Sequence, residues 1–102
     1  MRFLFKISMP VEAGNAAARK GFEAMQKILA EQKPEAAYFL ADAGKRTAIM
    51  IHNMTDASQI PAIAEPWFLA LNASIEVTPV MTAEDLAKAG PAIGHAVKTY
   101  GG

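Results

Sequence analysis

The chain has no cysteine, which excludes disulfide staples, thiolate catalysis and Cys-ligated zinc. It has no surplus of charge either: ten Lys and Arg face ten Asp and Glu, and no stretch collects one sign. Nucleic acid is therefore not an expected partner, since affinity for phosphate backbones rests on a basic field. An anionic membrane surface is disfavoured for the same reason. No apolar run reaches the roughly 20 residues of a membrane span. The opening Met1 to Lys6 meets a charge before the apolar core of a signal peptide could form. A soluble, cytoplasmic protein is the expectation.

What is present is greasy. Apolar residues make up 52% of the 102 residues and charged ones 20%, the balance of a packed globule, and the length is that of one domain over residues 1–102. Phe3, Phe5 and Ile7 alternate with Arg2, Leu4, Lys6 and Ser8, the period-two pattern of a strand that Pro10 ends. Asn15 can cap a helix whose stripe is Ala18, Phe22, Met25 and Leu29, closed by Lys33-Pro34. Residues 35–41 and 47–54 read as strands joined by a tight hairpin at Asp42-Ala43-Gly44-Lys45.

Thr55 or Asp56 opens a second helix, and Asp56 with Gln59 would form a capping box. Its buried stripe is Ile60, Ile63, Trp67 and Leu71. Pro61 is tolerated in the first turn, whereas Pro66 is expected to kink or restart the helix. Asn72 suits a left-handed cap. Residues 74–80 alternate as a last strand, and Thr82 starts a final helix, broken at Gly90-Pro91 and resuming through Ile93, Val97 and Tyr100.

Strand, helix, hairpin, helix, strand, helix in that order implies an α+β, ferredoxin-like βαββαβ fold with an extra helix. The sheet is four-stranded and antiparallel, order 4-1-3-2, with both crossover helices on one face. If Ala41 pairs with Arg46, then Tyr38, Leu40, Ile49 and Ile51 join Phe3, Phe5 and Ile7 beneath the helices. The open face then carries Leu4, Lys6, Ala37, Phe39, Ala48, Met50, His52, Glu76 and Thr78. A one-residue shift exchanges the sets in the second and third strands. In both registers the open face keeps large apolar groups, which points to a homodimer packed sheet against sheet.

The pattern resembles the dimeric α/β-barrel superfamily over essentially the whole chain. The stretches from Asp56 to Pro61 and from Phe68 to Met81 resemble a small uncharacterised bacterial family of that fold, which brings no activity with it. The wider superfamily includes cofactor-free monooxygenases, haem-degrading enzymes, isomerases and ligand-sensing domains, so fold analogy alone selects none of them. Its haem-degrading members combine an Asn near the first strand with a Trp and a His in the second helical region. Here Ser8 stands in the first strand and no His lies between Trp67 and His95, so no cofactor is expected; two isolated histidines do not make a metal site.

His52, Lys6 and Glu76 are the candidate acid–base group, since an imidazole beside a carboxylate and an ammonium titrates near neutrality. A cross-strand Lys6–Glu76 ion pair with His52 at a strand end is the plainer account. Trp67 is the candidate wall of a pocket between helix and sheet, with Tyr38, Phe39 and Met50 as further ligand-binding candidates. The methionines, Met9 and Met25 among them, suit an adaptable lining and equally suit ordinary core filling. Binding of a small apolar or aromatic molecule is the leading expectation. A cofactor-free enzyme with His52 as base and a purely structural dimerisation module are the alternatives.

Overall fold

Strand β1 (Arg2–Ser8) lies inside the sheet, between β3 (Lys45–Asn53) and β4 (Ser74–Val80), and β2 (Ala36–Asp42) completes the order β2-β3-β1-β4. All three pairings are antiparallel. This is the expected α+β ferredoxin-like topology, seen in a computed structural model that describes residues 1–102. Helices α1 (Val11–Arg19) and α2 (Glu23–Gln32) form the first crossover and α3 (Ile60–Leu71) the second; α4 (Ala83–Lys88) and α5 (Gly90–Tyr100) follow β4. No helix is long and apolar enough to cross a membrane.

The hairpin closes as its residues dictate. Asp42 pairs with Lys45, and Ala43 and Gly44 both take positive φ, 49° and 75°, the two-residue turn whose twist matches that of the strands. Ala41 pairs with Arg46, as expected. The phase of the hairpin against β1 is the shifted one. Phe5 lies opposite Met50, Phe3 opposite His52 and Ile7 opposite Ala48, so Ala37, Phe39, Ala48, Met50 and His52 turn toward the helices. Tyr38, Leu40, Ile49 and Ile51 lie on the open face instead. The reason is space: α2 and α3 bring Ile28, Trp67 and Leu71 down onto the sheet, and small Ala37 and Ala48 make room where larger side chains would hold the helices off.

The first helix is two helices. Gly21 takes φ 67° and its N–H donates to the Ala18 carbonyl at 3.0 Å, while that of Phe22 donates to Ala17 at 2.9 Å, a glycine-terminated helix end. Phe22 itself is left-handed at φ 55° and α2 starts beyond it. Pro10, not Asn15, precedes the first turn of α1. Asn15 lies inside that helix and accepts a hydrogen bond from Arg46 Nη1 at 2.9 Å.

Helix α3 continues through Pro66 as one element, so the helix does not restart there. The missing N–H leaves one carbonyl of the preceding turn unbonded, and packing of Ala64, Trp67 and Leu71, each 4% exposed or less, outweighs that loss. Asp56 and Gln59 form the expected capping box on a single 3-10 turn at Ala57–Gln59, and Asn72 is the left-handed cap at φ 51°. Thr82 and Asp85 cap α4 reciprocally, and α5 resumes after Ala89.

Candidate functional site

Lys6 and Glu76 are direct cross-strand partners on the open face. His52 is on the other side of the sheet, opposite Phe3 and 5% exposed. The three do not converge, because the hairpin's phase turns His52 toward the helices. Lys6 instead bonds Asp42 Oδ2 at 2.8 Å, and that hydrogen bond raises its pKa above the ordinary lysine value. The two carboxylates and the ammonium border a shallow polar hollow of about 200 Å³ with Ser8 and Ser74. Exposed ion pairs of this kind contribute little.

His52 sits edge-on to Phe5, ring centres 5.2 Å apart and planes at 83°. Its Nε2 is buried without a hydrogen-bond partner, and desolvation holds its pKa below the ordinary value. No charged group contributes to that shift, so the imidazole is neutral at pH 7 and has no relay partner.

Trp67 and Met50 are fully buried. The indole N–H donates to Gln32 Oε1 at 3.1 Å, and Gln32 Nε2 donates to the Ile63 carbonyl at 2.8 Å, so Gln32 ties α2 to α3. Neither Trp67 nor Met50 lines any of the surface hollows. Tyr38 is 68% exposed on the open face, and Phe39 is 54% exposed on the other.

Phe39 does line a cleft. Together with Met9, Phe22 and Met25 it walls a space of about 410 Å³ beneath the start of α2, at the hairpin end of the sheet, with Arg46 at its margin. The space is within the range of small-molecule sites, and its lining is mostly apolar with one cation. Phe22 reaches this wall from a left-handed backbone, a conformation costly for a bulky residue and commonest where function or tight packing demands it. Of these residues, Met9 and Met25 were visible as adaptable lining, whereas Phe22 counts into the helical stripe unless Gly21 before it is read as a stop. Arg46 carries no local signal; only the fold brings it to Asn15 and the cleft. No three His, Asp or Glu side chains gather so as to hold a metal ion.

A family profile described as a domain of unknown function (DUF3303) matches residues 1–94. No curated protein is significantly similar. Among solved structures, a formyltetrahydrofolate deformylase from Pseudomonas putida KT2440 is similar, with a TM-score of 0.48 and 16% identity. The match covers 78% of this chain and 29% of that one, and so weak a likeness carries no inference about activity.

Proposed function

The chain belongs to this family of unknown function (DUF3303), which assigns it no chemistry, and we propose from its own geometry that it binds a small, largely apolar or aromatic molecule. The observation that carries the reading is the cleft of Met9, Phe22, Met25 and Phe39. All four are aromatic or thioether side chains, which grip flat or irregular apolar ligands through area and polarisability. Arg46 at the margin favours a ligand with an acidic edge. His52 lies across the sheet from Lys6 and Glu76, which supports the binding reading over one with His52 as base.

Calorimetric titration with 1-naphthoate, naphthalene and decanoate tests the proposal. Saturable binding of at least one probe is expected, weakened roughly tenfold or more by Phe39→Asp, the scale of losing a buried apolar anchor. Binding unaffected by Phe39→Asp and Met25→Glu, or none by any of the three probes, overturns it.

The open face favours a second reading that is compatible with the first. Leu4, Tyr38, Leu40, Ile49 and Ile51 share that face, with Tyr38 68% and Leu40 44% exposed. Such a patch is covered economically by the same patch of a second chain, the association of a dimeric α/β barrel.

A further inference from the structure

Every residue of α5 is exposed. Its Ile93, Val97 and Tyr100 follow the i, i+4, i+7 spacing of one helical face and are 50%, 62% and 85% exposed; Leu86 of α4, one heptad earlier, is 50% exposed. An apolar stripe of this kind exists to be covered, yet nothing in the chain covers it. The shape agrees. The radius of gyration is 17.4 Å, against about 13 Å for a compact chain of this length. The longest dimension is 58 Å, of which an 18-residue helical arm accounts for about 27 Å at 1.5 Å per residue.

The surface area agrees as well. The chain exposes 6872 Å², whereas the scaling of area with mass gives about 5,600 Å² for a compact 10.9 kDa monomer. The excess of about 1,300 Å² is larger than the roughly 800 Å² that one partner contributes to a standard interface. The arm is also a formed helical element. The reciprocal Thr82–Asp85 bonds, 3.0 and 3.1 Å, cap its first turn. The Ala89 N–H to Leu86 and Ile93 N–H to Ala89 bonds, both 3.0 Å, carry the helical ladder across the joint.

The arm therefore leaves from one edge of the sheet, while the barest apolar pair on the open face, Tyr38 and Leu40, lies on the edge strand β2 at the other. A two-fold axis running along the strands between two stacked sheets lays β4 of each chain over β2 of the other. Each arm, continuing from Val80, then starts beside the end of the partner's β2 at Ala36 and can run along its bare outer edge, a self-complementary arrangement. We infer that the arm is exchanged between two copies of this chain, Leu86, Ile93, Val97 and Tyr100 of each packing along the outer edge of the other's β2, beside Tyr38 and Leu40. The inference rests on the sheet-to-sheet pairing proposed above.

Because the chain has no cysteine, introduced thiols are the only ones present. Full-length Val97→Cys and Tyr38→Cys proteins carrying different tags are mixed and treated with a short bis-maleimide, with Val97→Cys plus Glu12→Cys as the control pair. The expected result is a mixed two-chain product well above the control, and a dimer dissociation constant raised roughly tenfold or more by Tyr100→Asp, the effect of losing an interface anchor. Light scattering separates the failures. A two-chain mass with no excess crosslinking overturns the exchange and leaves the sheet pairing standing. A one-chain mass at micromolar concentration overturns both. Intramolecular crosslinking in the double variant Val97→Cys/Tyr38→Cys places the arm on its own sheet and overturns the exchange.

Discussion

His52 is a polar group in an apolar place, and the consequence is a pH dependence with a definite sign. Burial lowers its folded-state pKa below the ordinary 6.5, so the unfolded chain takes up a proton that the folded one refuses. Stability is unaffected by this group well above pH 6.5 and falls as pH drops from there toward the folded-state value. Denaturant unfolding at a series of pH values is expected to show that decline, and His52→Met, which fills the space without a titrating group, to remove it. A decline of equal slope in the variant would assign it elsewhere. Glu35, Asp56 and Asp85 act in a lower window. Their pKa values are held down first by the bonds from Arg2, Ser58 and Thr82 respectively, so what they contribute is lost only as pH falls through the carboxylate range.

Trp67 gives a second test at this scale. Trp67→Ala empties the centre of the core and is expected to cost about 3–5 kcal/mol. Trp67→Phe also strips Gln32 Oε1 of its donor. A double-mutant cycle with Gln32→Leu should therefore return a coupling of about 1 kcal/mol; additivity would mean that the 3.1 Å bond contributes nothing.

Among the elements, several ends and turns are governed by neighbouring residues and were legible in the sequence. The hairpin at Asp42–Lys45, the capping box at Asp56, the helix start at Thr82 and the left-handed Asn72 all form as their residue types require, whereas Asn15, expected as a cap, lies inside α1. Asp56→Ala is expected to lower stability by about 1 kcal/mol, read as a shifted denaturation midpoint with unchanged cooperativity; no change would mean that the cap is idle. Long-range choices were not legible. The sets Tyr38, Leu40, Ile49, Ile51 and Ala37, Phe39, Ala48, Met50 are both apolar, and only the fit of α2 and α3 against β1 decides which turns inward. The position of His52, and with it the separation of the acid–base candidates, depends on that decision. The break at Gly21-Phe22 was hidden because the apolar spacing continues through it, and the continuation of α3 past Pro66 is a tertiary override of a local preference.

For the molecule as a whole, the topology followed from element order, while the distribution of bare surface needed three dimensions. Substituting Tyr38 and Leu40 together by Lys is expected to leave the secondary structure intact, since both already contact solvent. It should also shift the sedimentation of the protein at micromolar concentration from two chains to one. Sedimentation identical to that of the unaltered protein would remove the open face as an interface.

The two borders of the sheet are not equally guarded. Strand β4 contains Pro79, which withholds a backbone donor, whereas β2 reads Ala-Ala-Tyr-Phe-Leu-Ala before its first charge and has an unpaired outer ladder. Six uncharged, apolar or aromatic residues on an unpaired border are a template for strand addition by any similar segment. Whatever covers β2 thus also serves as a guard against fibre growth, and a destabilised form of this protein should fail first by stacking along that border.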